Sequence, residues 1–322
     1  MKLGVCSGLF SDRPLPEALD IFQGMGIEGV EIYCGGREED LRHIDAAAVL
    51  ADRDAAKKYR SEFERRGMFI SSLNCSGNPV HPDEARARID RDGFERTVLA
   101  AERLGVDTVV AFSGTPGGAP GDRTPNWVTC PWPDEYLAIR DYQWNEVLIP
   151  YWEKAARFAR EHGVRKIGLE MHPGFCVYNV ETLLRLRAAV GEEIGANFDP
   201  SHLMWQGVDP ARAILQLDGA LFRMHAKDVY VNPETVARNG VNDAKHYGEV
   251  RERSWTFRTV GYGHGADVWK RMISALAVIG YDGVLNIEHE DLFMSRREGL
   301  RKAAGFLRGL LILEKPEAMW WA

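Results

Sequence analysis

No apolar run in this chain reaches the roughly 18 residues that a membrane-spanning helix needs. The N-terminal stretch is too short in apolar residues for a secretion signal and meets a charge early, at Asp12. Cysteine is scarce: Cys6, Cys34, Cys75, Cys130 and Cys176 are odd in number, widely spaced and without a CxxC pair. That pattern argues against a disulfide framework and suits reduced thiols in a cytoplasmic protein. Positive charge is in deficit, with 40 Lys and Arg against 47 Asp and Glu, a net charge of -7. Such a balance speaks against nucleic acid as the partner. There is no low-complexity tract and no linker. The glycine-rich stretch GTPGGAPGD at 114–122 lacks both GxGxxG and a GK[ST] ending, so an open nucleotide-binding sheet loses its usual phosphate loop.

What is present is a regular alternation. Short β-like runs are expected at 3–6, 29–33, 69–74, 108–113, 167–172, 195–199, 221–227 and 283–289. Helical patterns lie between them, at 14–25, 46–66, 83–104, 134–162 (with Pro150 as a kink or break), 180–190, 209–217, 267–279 and 295–313. Five junctions, GMGIEGVEI, RRGMFISSL, RLGVDTVVAF, EHGVRKIGLE and VIGYDGVLNIEHE, each join a helix end to a buried strand through glycine. Repeated βα units of this kind predict a parallel sheet, and eight of them a single (β/α)8 TIM barrel spanning 1–322 as one domain. Two long βα loops follow strands 4 and 7, at 114–133 and 229–265. Their content of Trp127, Trp132, Tyr247, Trp255 and Tyr262 suits packed lids on the C-terminal face.

Barrel chemistry belongs at the C-terminal strand ends. In the second half those ends carry Glu170, Asp199, His225 and Glu288, from four successive strands. A carboxylate just past a buried apolar run is costly unless a metal or opposite charge compensates it. One such residue is more often a structural ion pair. Four together form an oxygen-rich set able to hold one divalent ion, with Mn²⁺ first, Mg²⁺ or Co²⁺ also suited, and Zn²⁺ second choice for want of a cysteine ligand.

The motifs GLEMHP, ANFDPSHL, MHAKD and NIEHED resemble the sugar phosphate isomerase/epimerase superfamily, the xylose isomerase-like barrels. The resemblance covers nearly the whole chain. It implies that Glu170, Asp199, His225 and Glu288 bind one metal ion, that Glu170 and Glu288 act as an acid/base pair, and that His202 of DPSH touches substrate. The implied reaction is isomerisation or epimerisation of a sugar, keto-sugar or inosose, by proton abstraction next to a carbonyl through a metal-stabilised enediolate. A lyase on 3-keto-glycosides or keto-inositols shares that first step. It would resemble inosose dehydratases or the catalytic subunits of C-glycoside deglycosidases, which work with a small second subunit. An endonuclease IV-like nuclease needs further histidines and a D-x-H element, where this chain reads AKDVYV after His225.

Smaller expectations concern residues nearby. His172, two positions past Glu170, can face substrate or support the site. Lys227 and Asp228 can orient His225 or bind a hydroxyl. Some epimerases place an arginine just beyond that histidine; here Val231 stands in the area, leaving Arg258 as a substitute, with Gly263 and His264 beside it. Glu31 and Asn74, at the ends of strands 2 and 3, are substrate contacts or buried partners, and Trp205 is a pocket wall. The terminal Trp320 and Trp321 predict packing on a second copy or back on the barrel. The expected ligand is a neutral small carbohydrate or polyol.

Overall fold

The computed structural model describes residues 1–36, 42–314 and 317–321. Eight parallel strands close into a barrel: β1 Lys2–Cys6, β2 Gly29–Gly35, β3 Phe69–Cys75, β4 Thr108–Phe112, β5 Lys166–Glu170, β6 Ile194–Phe198, β7 Leu221–Ala226 and β10 Val284–Ile287. Each pairs with its sequence neighbour in the barrel, and β1 closes on β10. The eight-strand reading of the sequence therefore holds.

Along these strands apolar and polar residues alternate, which sends them to opposite faces. Val30, Ile32, Leu73, Leu169, Phe198, Met224 and Leu285 are buried in the core shared with the helices. The intervening Glu31, Ser72, Asn74, Asn197, His225 and Asn286 are equally buried but hydrogen-bond to one another inside the barrel. Gly4 makes room for this network: a Cβ there would lie 2.1 Å from Asn286 Oδ1.

Helices α1 Leu15–Gly24, α4 Glu84–Leu104, α7 Val180–Val190, α9 Pro210–Gln216 and α11 Ala266–Val278 fall where periodicity placed them. The 46–66 pattern is two helices, α2 Ala46–Ala51 and α3 Arg53–Glu64, because Asp52 is extended and caps the second through Asp54 N. The 134–162 pattern reads α5 Glu135–Tyr142, a π-helical turn Gln143–Leu148, then α6 Ile149–Glu161. Pro150 cannot donate a backbone hydrogen bond, and the wide turn before it absorbs that loss without ending the helix. The last helix, α12 Arg296–Arg308, is shorter than expected.

Both long loops are packed. In 114–133, Asp122 accepts from Gly118 N and Ala119 N, and Gln143 donates to the carbonyls of Pro116, Gly117 and Asn126. The loop after β7 contains structure that periodicity did not predict: an antiparallel hairpin, β8 Asp228–Val231 with β9 Trp255–Arg258, and a short helix α10 Pro233–Asn239. Arg253 clamps it, donating to Trp255 O and lying over the rings of Tyr247 (4.6 Å) and Trp255 (4.4 Å).

The hairpin hangs on Asp228. Its fully buried carboxylate accepts from the backbone of Val229, Gly261, Gly263 and His264, and from His264 Nδ1 and Trp269 Nε1. Asp228→Ala leaves several buried donors without an acceptor, and the expected loss is about 3 kcal/mol or more. A thermal melt of the variant within a degree or so of the parent would contradict this. Trp320 and Trp321 do not pack back on the barrel; they are exposed and meet edge to face at 5.8 Å.

Candidate metal centre

Strand register decides what meets at the barrel mouth. Glu170 is level with Asn197, and Asn286 with His225. Asp199 and Glu288 lie two residues further, hence on the same inward side and one layer higher. One ligand atom from each of Glu170, Asp199, His225 and Glu288 lies within 4.8 Å of every other. The four residues singled out at strand ends are thus brought together.

Local structure aims each of them. Asp199 is the N-cap of α8 Pro200–Met204, its Oδ1 accepting from Ser201 N at 2.8 Å. Pro200 suits the first helical position, which explains the DP dipeptide. Oδ2 is left facing the cluster without a hydrogen bond; Lys227 Nζ is 2.9 Å away but out of hydrogen-bond alignment. His225 is oriented from behind, with Nε2 3.0 Å from Glu31 Oε1. An N–H donated there leaves Nδ1 as the nitrogen that faces the cluster. Nδ1 has no hydrogen bond and sits 3.2 Å from Glu170 Oε2 and 3.1 Å from Glu288 Oε2.

Electrostatics fit the same picture. Burial, reinforced by Glu170 and Glu288 against the pull of Lys227, pushes Asp199 up to about 7. Burial opposes ionisation of Glu288 too, but Lys227 and His225 outweigh it and hold it at about 2. Burial with the neighbouring His172 and Lys227 drives His202 down to about 3, so its imidazole is neutral. Burial opposes protonation of His225, but Cys6, Glu31 and Glu288 raise its imidazole well above the ordinary range, so a cation would take the place of the Nδ1 proton. Three converging carboxylates, one of them short of compensating charge, and that ring nitrogen fit a divalent cation with mixed oxygen and nitrogen ligands.

The other expected residues sort into three places. His202 Nε2 lies 3.1 Å from Glu170 Oε1 and 3.4 Å from Asp199 Oδ2. His172 packs on His202 with ring centroids 4.1 Å apart, and Lys227 Nζ joins Glu288 Oε2 (2.9 Å) to Glu290 Oε2 (3.1 Å). Glu170, Glu288, His172 and Lys227 all line one cavity of about 1150 Å³. Trp205 stacks on Trp255 at 4.7 Å and walls a second space of about 480 Å³, which also meets His172 and His202. Glu31 lies beneath the cavity, fully buried, accepting from Ser72, Asn74 and Asn286. Arg258 is tied to Asp291 Oδ2 at 3.3 Å and is not among the cavity's lining residues; Gly263 and His264 are spent on Asp228.

Several lining residues escaped the sequence reading: Tyr33, Phe112, Phe175, Phe257 and Glu290. Glu290 was legible, since NIEHED places it two residues beyond Glu288 on one face of an extended segment. Phe257 was not, because the hairpin that carries it pairs residues about thirty apart.

Comparison with known proteins places this architecture. The family model described as xylose isomerase-like TIM barrel matches residues 19–310. Over 310 residues the chain is 37% identical to YfiH of Bacillus subtilis, described as an uncharacterized protein, covering 96% of this chain and 98% of YfiH. A shorter match, 29% identical over 152 residues, covers 47% of this chain and 44% of the rhizopine catabolism protein MocC of Rhizobium meliloti. Among solved structures, the IolI protein with a bound zinc atom superposes with a TM-score of 0.64 at 19% identity, covering 97% of this chain and 98% of that one. D-psicose 3-epimerase, solved with D-fructose, gives 0.62 at 13%, covering 97% and 99%. At such identities these structures attest the fold.

Proposed function

The chain belongs to the xylose isomerase-like TIM barrel family, and on that premise we propose that it is a divalent-metal-dependent isomerase or epimerase of a sugar, keto-sugar or inosose. The observation that carries this reading is the convergence of Glu170, Asp199, His225 and Glu288, two of which, Glu170 and Glu288, line a cavity large enough for such a substrate. Zinc in IolI and fructose with D-psicose 3-epimerase are in keeping with it.

Glu170, Asp199, His225 and Glu288 would hold the ion, with Mn²⁺ the first candidate. When bound, it supplies Lewis-acid polarisation of a carbonyl and positive charge for the anion that forms on losing the neighbouring proton. Proton transfer falls to Glu170 and Glu288, which approach the same centre from non-adjacent strands, β5 and β10. One takes the α-proton and the other returns it to the opposite face, which inverts the carbon. Lys227 holds Glu288 in place and bridges it to Glu290. His202, neutral and against Glu170, can hydrogen-bond a substrate hydroxyl.

Elemental analysis of the purified protein tests the reading. One manganese, magnesium, cobalt or zinc ion per chain is expected, and none in Glu170→Gln/Asp199→Asn. A metal-free protein that gains no activity when ions are supplied would reduce the cluster to a charge network.

A further inference from the structure

A separate recess of about 320 Å³ lies between the loop 114–133 and α7. Trp127 of the loop and Tyr178, just ahead of α7, form aromatic walls that meet edge to face at 5.6 Å. Trp144 of the π-helical turn, Arg140 of α5 and Arg185 of α7 complete the lining. None of these five residues belongs to the metal cluster or lines the cavity beside it. The volume is at the small end of what ligand sites offer.

The recess carries more positive charge than its surroundings neutralise. Arg185 lies 4.1 Å over the Trp144 ring, yet among the described residues it has neither a carboxylate partner nor a hydrogen-bond acceptor. Arg140 meets Asp141, its exposed neighbour, at 3.3 Å. One carboxylate lines the recess, Glu181, and it pairs with neither arginine. Burial, and after it the like charge of Arg140, lower the pKa of Arg185 against the opposing pull of Asp141 and Glu181. An arginine held against an indole is fixed in place while its N–H fork stays available to a planar acid. Trp127 adds a further donor, since its Nε1 is buried without an acceptor. A buried donor left unmet is costly, so a ligand that supplies the acceptor gains from it. The wall is also set in advance: Gln143 donates to Asn126 O, next to Trp127, so little ordering entropy opposes binding.

We infer that this recess is a binding site for a small planar organic carboxylate, separate from the metal centre. The acid group takes the N–H edges of Arg185 and Arg140, and the planar body lies against Trp127 and Tyr178. Inorganic phosphate would use the arginines and leave both aromatic walls idle, which favours the organic acid. Bound there, the ligand ties loop 114–133 to α5 and α7. Its contacts also lead toward the substrate side. Trp127 walls the space that meets His172 and His202, and Gln206 Nε2 donates to both Tyr178 O (3.3 Å) and His202 O (2.7 Å).

Calorimetric titration of the full chain with sodium benzoate, benzamide and inorganic phosphate tests this. One benzoate per chain is expected to bind, about tenfold or more tightly than benzamide, its uncharged counterpart, or phosphate. Arg185 is exposed, so replacing it leaves the core intact. Arg185→Met, which keeps apolar cover on Trp144, should lose about tenfold or more of the benzoate affinity. Arg185→Lys, which keeps the charge without the planar fork, should fall between Met and the parent. Glu170→Gln/Asp199→Asn should bind benzoate as the parent does, whatever its metal content. Amide hydrogen exchange around 126–128 should slow with benzoate in the parent and not in Arg185→Met. No benzoate binding, equal binding of benzamide or phosphate, or an affinity indifferent to Arg185→Met would each overturn the proposal. So would unchanged exchange in the loop. Loss of benzoate binding in the Glu170/Asp199 variant would move the acid to the metal centre and overturn it as well.

Discussion

Glutamine at position 170 or 288 is expected to slow exchange of a substrate α-proton by about 10²–10⁴-fold, the usual contribution of a positioned general acid or base. Either change keeps the side chain's shape and removes its capacity to carry a proton. Both carboxylates reach the same point, each within 3.2 Å of His225 Nδ1. Yet they stand in different surroundings. Glu170 is nearly closed off, with His202 and His225 against it, whereas Glu288 is the more exposed of the two and is held by Lys227. That asymmetry suits one group taking the proton and the other returning it. Exchange followed by proton NMR in D₂O over a panel of ketoses and inososes, with manganese in excess, gives the readout. Because both residues are also ligands, metal content is measured on the same samples. A variant that still holds the ion but exchanges no proton places the residue in proton transfer. Full exchange in either variant removes it from that role.

Glu31→Ala is expected to weaken metal binding about 10–100-fold, although Glu31 touches no ion. Its Oε1 accepts from His225 Nε2, which is what turns Nδ1 toward the centre. Burial alone would raise Glu31, but the His225 charge and hydrogen bonds from His225, Asn74 and Ser72 bring it below the ordinary carboxylate range, so it is ionised. Without it, the imidazole can carry its proton on Nδ1, the wrong nitrogen for a ligand. Asn74 and Asn286 are left with unmet donors at about 1–3 kcal/mol each, so Glu31→Gln, which keeps an acceptor oxygen, accompanies the alanine variant. Competition against a fluorescent chelator measures affinity, and circular dichroism checks folding. The expected order is parent, then glutamine, then alanine. A folded alanine variant with unchanged affinity would leave Glu31 as core packing and nothing more.

The barrel was legible because its signals are local. Glycine after a helix and a short buried run after that glycine each act over a few residues. The carboxylates at 170, 199 and 288 and the imidazole at 225 were legible for a related reason. A charged group at the end of a buried run is anomalous wherever the run ends up, and in a parallel barrel all such ends share one face. Less legible were residues whose role depends on a partner far along the chain. Glu31 could be read as a substrate contact or as a buried partner, and only the closure of β1 and β2 against β10 sets it beneath His225. Arg258 stood near the right motif, but Asp291, thirty-three residues later, claims its guanidinium. The hairpin inside the loop after β7 has no repeating polarity to announce it. It exists because Asp228 can gather donors from 261–269 once both segments lie over the barrel.

What the sequence determined by itself was the kind of fold and the kind of atoms at its mouth, since backbone propensity and side-chain chemistry travel with each residue. What the tertiary structure alone decided was which carboxylates stand free to bind, which are consumed by neighbours, and which arginine is left without a carboxylate. Those outcomes depend on distances between segments remote in the chain, and no property of one segment encodes such a distance.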